Sequence, residues 1–111
     1  MADARPRRPA FADDDINLAS PDLGAAICHV SDEFFAPAKR MLFAEEPVFI
    51  PGRFDQHGKW MDGWESRRKR TAGHDVCVIR ICPGVITGVE VNTRHFTGNY
   101  PPRVMLEACR V

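Results

Sequence analysis

The sequence has 111 residues, 44% of them hydrophobic and 27% charged, which is the composition of one globular domain and too short for two. Fifteen basic side chains balance fifteen acidic ones, and this zero net charge argues against a nucleic-acid binder that neutralises phosphates. No apolar run approaches the roughly 18 residues of a membrane span, and the Arg- and Pro-rich N-terminus lacks the apolar stretch of a secretory signal. We therefore expect a cytoplasmic protein whose partners include neither a membrane nor a nucleic acid.

The spacing of cysteine and histidine does not indicate a metal site. The four cysteines stand at positions 28, 77, 82 and 109, which is not zinc-knuckle spacing, and the four histidines show neither HxH nor HExxH spacing. In a reducing compartment the expected state of such cysteines is a free, buried thiol. The sequence predicts no cofactor and leaves a bound divalent metal open.

The first thirteen residues contain three Arg and two Pro and few apolar side chains. We predict a disordered leader over residues 1–13 and one folded unit over residues 14–111. Ser20 and Pro21 then mark a turn near the start of that unit.

Short apolar runs follow along the chain. Residues 26–30 and 48–50 are predicted strands. Between them, apolar side chains recur at near-helical spacing from Phe34 to Leu42, and Pro37 limits the predicted helix to one or two turns.

The C-terminal half contains the clearest strand pattern. Residues 76–81 are apolar on both faces, as in a covered central strand, and residues 85–93 alternate between apolar and polar side chains. We predict two consecutive antiparallel strands here, with four largely buried side chains. These are Ile79, Ile81, Val89 and Val91.

Several short strands, long loops and little helix predict an all-β sandwich. A last strand begins at Val104 and reaches Val111 without a terminator. We therefore expect the sandwich to be incomplete, with an edge that further strands would normally cover.

The densest mixture of chemical groups lies in the loop over residues 58–75. It combines cations, carboxylates, a histidine and two tryptophans, which suits a small anionic ligand with hydrogen-bonding groups. The alternative is a solvated basic turn over residues 67–70 that pairs with nearby carboxylates. The candidate side chains in this loop are Lys59, Asp62, Trp64, Glu65, Arg67, Arg70 and His74.

Two other stretches are open to two interpretations. Within residues 95–102, His95 and Asn99 could face a ligand, or the segment could plug the core and make a turn. The adjacent carboxylates Asp32 and Glu33 could be catalytic, or they could lie at the start of a helical turn that Ser31 caps.

Five segments together resemble the allantoicase family, in that family's order and with similar gaps. The resemblance runs from about residue 14 to the C-terminus, and the combination is far more specific than any one segment. The segments are SDEFFAPA at 31–38, PVFI at 47–50, GKWMDGWE at 58–65 followed by Arg67 and Arg68, GHD at 73–75, and FTGNYP at 96–101.

The resemblance implies a hydrolase of purine breakdown that converts allantoate and water to ureidoglycolate and urea. It also implies a galactose-binding-like jelly roll, two such repeats in the full protein, and homo-oligomers. The present chain departs from the family pattern because it holds only most of the first repeat. It also has Val76 where an aromatic residue is common and Cys82 where glycine is more usual.

Allantoate carries one carboxylate and two ureido arms, so its site needs a cation and hydrogen-bond acceptors. We assign Arg67 or Arg70 to the carboxylate, with Lys59 as a second cation. His74 is the expected acid/base group, because the unperturbed pKa of histidine is about 6.5. Asp62 and Glu65 are assigned to the ureido groups and to catalysis, with Trp64 and Asn99 as further substrate-binding residues.

Two other functions remain open at this stage. The same fold class serves in discoidin-type modules that bind carbohydrate or lipid without catalysis. An inactive fragment is the other possibility, because catalytic groups work only when they are held to about half an ångström. We therefore expect the chain alone to be weakly active or inactive.

Overall fold

The computed structural model describes residues 11–43, 45–67, 72–98 and 100–111, and its sheets are all antiparallel. The structure is all-β apart from single turns of helix. The helical turns are α1 (Phe11–Asp14) and two 3₁₀ turns, Pro21–Leu23 and Ala38–Leu42. The strands are β1 (Ala26–Val30), β2 (Phe54–Asp55), β3 (Gly58–Lys59) and β4 (Cys77–Arg80).

The main sheet pairs β1 with β4, which lie about fifty residues apart in the sequence. Ala26 lies opposite Arg80 and Val30 opposite Cys77, and the register shifts at a bulge between Ile27 and His29. The predicted strands at 26–30 and in the first part of 76–93 are therefore confirmed. Both contain the β-branched residues that favour a pleated surface.

A second, two-residue ladder pairs β2 with β3. The turn between them begins when Asp55 Oδ1 accepts a hydrogen bond from the amide of His57 at 2.8 Å, which is an Asx turn. Gly58 follows with φ of 123°, a conformation that suits glycine. The start of the predicted loop over residues 58–75 is therefore one strand of a short hairpin, which the sequence analysis did not predict.

Three expected strands are absent from the described residues. Residues 48–50, 85–93 and 104–111 are not assigned to any ladder. The prediction that Val89 and Val91 are buried is wrong, because their exposed fractions are 54% and 52%. Alternation identifies the two faces of an extended segment, but a strand also needs a hydrogen-bonded neighbour, which the described residues do not provide here.

The core is small and lies between the second 3₁₀ turn and the loop after β3. Arg40 of that turn donates from Nη1 to the carbonyl oxygen of Met61 at 3.0 Å, which joins the two segments. The turn confirms the predicted short helix over Ala38–Leu42 only, and the part before Pro37 is not helical. The buried apolar side chains are Ala25, Ala36, Ala38, Leu42, Met61 and Phe96.

The N-terminal part of the described chain lies along residues 82–88. The carbonyl oxygen of Leu18 accepts a hydrogen bond from the amide of Cys82 at 2.9 Å, and Asp15 Oδ2 accepts one from the hydroxyl of Thr87 at 2.7 Å. The predicted turn at Ser20 is confirmed, since its side chain caps the first 3₁₀ turn by accepting the amide of Asp22. The boundary between a leader and the folded unit stays a prediction.

The cysteines are free, but they are not all buried. Cys28 and Cys109 are exposed, whereas Cys77 and Cys82 are half-buried. The expectation of free thiols is confirmed, and the expectation of burial is wrong for the exposed pair. Cys28 lies on β1, and the described residues do not fully cover either face of the β1–β4 sheet, whereas Cys109 lies in the exposed segment 103–111.

Candidate functional site

The loop after β3 passes between two groups of side chains. The first group surrounds an open concavity of about 560 Å³, which we call the Phe34 concavity. Its lining residues are Ser31, Asp32, Glu33, Phe34, His57 and Arg67.

The two adjacent carboxylates shape the backbone of this concavity. Asp32 Oδ1 accepts the amide of Phe34 at 2.9 Å, and Glu33 Oε2 accepts the amide of Ala38 at 2.9 Å, where the second 3₁₀ turn begins. Both carboxylates bind backbone amides, as in the non-catalytic interpretation, but the helical turn begins at Ala38 and only Glu33 reaches it. Ser31, however, does not cap that turn.

Phe34 forms the apolar floor between two nitrogen-bearing side chains. The Arg67 guanidinium carbon lies 4.2 Å from the ring centroid of Phe34, and the His57 ring packs edge-on with centroids 5.5 Å apart. Trp64 donates a hydrogen bond from Nε1 to the carbonyl oxygen of Asp32 at 2.7 Å, which ties the loop after β3 to the backbone next to Phe34. A planar cation over an aromatic face is oriented while its N–H groups remain available for an anion.

Asp75 joins three separate segments at the edge of the Phe34 concavity. Its carboxylate accepts from the hydroxyl of Ser31 at 3.0 Å and from the hydroxyl of Ser66 at 2.7 Å. The Ser31 hydroxyl oxygen in turn accepts the amide of Val76 at 2.9 Å. The end of β1, the residue before Arg67 and the start of β4 are thereby held together.

The second group, the Phe49 cluster, consists of Pro47, Val48, Phe49, Lys59, Asp62 and His95. Lys59 Nζ lies 4.6 Å from the ring centroid of Phe49, and Asp62 Oδ2 accepts the amide of Val48 at 2.9 Å. The His95 ring stacks on Phe49 with centroids 5.9 Å apart, and its Nε2 lies 3.2 Å from the carbonyl oxygen of Pro47.

The predicted site residues therefore divide between two neighbouring groups. Lys59 and Asp62 belong to the Phe49 cluster, and Arg67 lines the Phe34 concavity. Glu65 pairs through its backbone with Ala36, its amide donating to the Ala36 carbonyl oxygen at 3.1 Å.

The structure places none of the other three predicted residues, His74, Arg70 and Asn99, in either group. His74 is exposed, one residue before the Asp75 network. Arg70 and Asn99 lie outside the described residues. A single cavity shared by all the predicted side chains therefore remains a prediction.

Three side chains at these groups were not assigned a role by sequence reasoning: His57, Asp75 and Ser66. The signal for His57 was its position in a short turn with Gly58, which indicates a hairpin but not what the ring contacts. The sequence marks Asp75 only as part of the GHD segment at 73–75. Its actual partners, Ser31 and Ser66, are 44 and 9 residues away.

Two other kinds of feature are absent from the described ranges. No group of three or more His, Cys, Asp or Glu side chains there could hold a metal ion. Among the same residues, no helix combines the length and apolar character needed to cross a membrane.

Comparison with protein-family models shows which family contains these residues. The model of the allantoicase repeat matches residues 16–111, which includes both groups of side chains. The chain belongs to the allantoicase family. The resemblance carried by the five sequence segments is thus confirmed.

Relatives in the allantoicase family are close in sequence but much longer. A probable allantoicase 2 of Burkholderia mallei is 60% identical over 105 residues, which cover 94% of this chain and 31% of that protein. A probable allantoicase of Rhizobium meliloti is 56% identical, over 91% of this chain and 30% of that protein. The chain thus spans about a third of the length of these curated relatives. No solved structure matches the chain significantly.

Proposed function

We propose that the chain binds allantoate and takes part in its hydrolysis to ureidoglycolate and urea. The observation that carries this proposal is the identity of 60% to a probable allantoicase over 94% of the chain. Both the Phe34 concavity and the Phe49 cluster fall within the matched residues 16–111. Their mixture of cations, acceptors and aromatic rings suits a small anion with several N–H donors.

The carboxylate of allantoate binds the Arg67 guanidinium in this proposal. Arg67 is exposed, and its stacking on Phe34 at 4.2 Å restricts the side chain before a ligand arrives. A guanidinium can hold a carboxylate through two parallel hydrogen bonds, which fixes the orientation of the substrate as well as its position. Arg70 and Lys59 are the alternative cations, and Lys59 lies in the neighbouring Phe49 cluster.

The ureido arms donate N–H groups, and the proposed acceptors are Asp62 and Glu65. One oxygen of Asp62 already accepts the amide of Val48, which orients the carboxylate and leaves Oδ1 for a ligand. Trp64 shields the site from water, and Asn99 contributes a further polar contact. His74 donates the proton that the departing urea nitrogen requires.

Three broader features belong to the same proposal. The β segments of this chain are part of a galactose-binding-like jelly roll. The full-length protein is a homo-oligomer, and it acts in the cytoplasm. The family membership supports each of these.

Isothermal calorimetry with allantoate, and with galactose as the rival ligand, tests the binding step. We expect allantoate to bind and galactose not to bind. Binding of galactose alone would contradict the proposal and favour a carbohydrate-binding module. Urea release, measured in parallel with the probable allantoicase 2 of Burkholderia mallei, then tests turnover.

The variant Arg67→Gln tests the assigned cation. Loss of a charge-assisted pair at this position should weaken allantoate binding about 10- to 100-fold. Arg103→Gln is the matched control, because Arg103 is exposed and lies in neither group of side chains. Equal affinities for the two variants would exclude Arg67 as the carboxylate partner.

A further inference from the structure

We propose that His95 is a further catalytic residue, whose Nδ1 accepts a proton from the water that attacks allantoate. This inference rests on the proposed function. It starts from the hydrogen bond between the His95 ring and a backbone carbonyl in the Phe49 cluster. The tautomer, the fixed orientation of the ring and the neighbouring groups each support it.

The hydrogen bond determines which ring nitrogen carries the proton. His95 Nε2 lies 3.2 Å from the carbonyl oxygen of Pro47, and a carbonyl oxygen can only accept. Nε2 must therefore be the donor, and Nδ1 of the neutral imidazole has a free lone pair. No other residue that the structure describes makes a hydrogen bond with this ring, so Nδ1 is available to a ligand or to water.

The backbone of His95 holds an uncommon conformation. Its φ is 71°, and among the described residues it is the only one other than a glycine that has a positive φ. Such a conformation persists where surrounding contacts determine it, and it is found preferentially at functional sites. The flanking residues supply these contacts: Arg94 Nη1 forms an ion pair with Glu46 at 3.0 Å, and Phe96 is buried.

The Phe96 ring closes this turn against the loop after β3. A Cβ on Gly63 would lie 2.9 Å from a carbon of the Phe96 ring, so the ring and the Gly63 backbone are in direct contact. Gly63 follows Asp62, which binds Val48 one residue after Pro47. The turn that carries His95 is therefore held at two points. Phe96 packs on the loop after β3, and the His95 ring binds the segment that the same loop holds through Asp62.

His95 is better held for proton transfer than His74. A catalytic group must be kept within about half an ångström of its working position. The ring of His95 is half-buried, stacked on Phe49 at 5.9 Å and hydrogen-bonded, whereas His74 is exposed. Lys59, an alternative cation for the carboxylate, and Asp62, a proposed acceptor for the ureido groups, contact the same segment as His95.

The proton balance of the step is complete. The water oxygen forms a bond to the central carbon of allantoate as the carbon–nitrogen bond to one ureido arm breaks. Nδ1 of neutral His95 takes the proton from water, and the departing nitrogen receives one from the acid assigned to His74. The products are ureidoglycolate and urea, and the two proton carriers return to their starting states by exchange with solvent.

Nitrogen-15 NMR of the histidine rings tests the proposal in the intact chain. We expect the neutral ring of His95 to carry its proton on Nε2, and we expect the Nδ1 signal to move when allantoate is added to saturation. A proton on Nδ1, or an unchanged Nδ1 signal at saturating allantoate, would overturn the proposal. Because this readout needs no turnover, it applies even if the chain releases little urea.

The variant His95→Asn tests the kinetic role. Asn tolerates positive φ, so the turn should be retained while the base is lost. We expect allantoate affinity to change less than threefold and urea release to fall about 10²- to 10⁴-fold. His29→Asn, an exposed position on β1, is the control and should keep the wild-type rate.

The outcomes distinguish this inference from the proposed function. If the wild-type chain releases urea at a measurable rate, an equal rate in His95→Asn would overturn the role of His95 and leave the allantoicase assignment standing. Failure of the wild-type chain to bind allantoate would overturn both, although the ring tautomer could still be read.

Discussion

Gly63 shows how one missing side chain shapes the candidate site. A Cβ at this position would lie 2.9 Å from Cε2 of Phe96. We expect Gly63→Ala to lower the free energy of unfolding by about 1–3 kcal/mol, because the buried ring would have to shift. Urea denaturation followed by tryptophan fluorescence measures the change.

The control for this variant is Gly98→Ala, where an added Cβ meets no atom within 4 Å. Its φ is not in the positive range, so the substitution should be close to neutral. Equal stabilities of the two variants would show that Phe96 does not pack on Gly63.

The two cysteines of the β1–β4 sheet should differ in reactivity. Burial, followed by the negative charges of Glu33 and Cys28, raises the pKa of Cys77. A raised pKa means less thiolate near pH 8, and the thiolate is the nucleophile. We expect iodoacetamide to modify the exposed Cys28 before Cys77, as peptide mass spectrometry over time would show.

Removal of one of these negative charges provides the complementary test. Glu33→Gln should lower the pKa of Cys77 and speed its alkylation relative to Cys28. Glu107→Gln is the control, because Glu107 is exposed and is not among the causes of the shift. No change in the Cys77 rate with Glu33→Gln would contradict the electrostatic contribution.

At the scale of elements, Asp75 connects β1, β4 and the segment that carries Arg67. Its carboxylate accepts from the hydroxyls of Ser31 and Ser66. We expect Asp75→Ala to reduce the free energy of unfolding by about 1–3 kcal/mol, because two donors lose their acceptor. Chemical denaturation measures this loss, and Glu107→Ala at an exposed position should have little effect.

A double-mutant cycle separates the network from a general effect of the substitution. Ser31→Ala and Asp75→Ala share one hydrogen bond, so their combined cost should be less than the sum of the single costs. Strict additivity would mean that the 3.0 Å contact between these side chains contributes nothing to stability.

At the scale of the whole molecule, two segments lie outside the network of backbone hydrogen bonds among the described residues. Residues 85–89 and 103–111 make no backbone hydrogen bonds with other residues that the structure describes. Their apolar side chains are exposed, with fractions of 86% for Val85 and 82% for Met105.

Hydrogen–deuterium exchange should reproduce this division. We expect slow exchange at the paired amides of β1 and β4 and fast exchange over residues 85–89 and 103–111. Protection of residues 85–89 that persists on dilution would contradict the structure of the single chain, whereas protection that disappears on dilution would indicate pairing between copies.

Sequence reasoning alone established the family, the all-β class and the positions of β1 and β4. The capping turn at Ser20 and the short helical turn before Phe43 were also predictable. The family rests on the resemblance of five segments. The other features depend on local preference or on a pattern of apolar residues, because a cap is made within a few residues and a strand pattern repeats every second residue.

Only the tertiary structure decided which side chains meet. His95 and Pro47 are 48 residues apart, and Ser31 and Asp75 are 44 apart, so no local pattern contains either contact. The same limit explains the wrong strand prediction at residues 85–93. Alternating residues specify what each face of a segment can bury, but the neighbour that completes a ladder comes from a distant part of a chain, and spacing along the sequence carries no record of it.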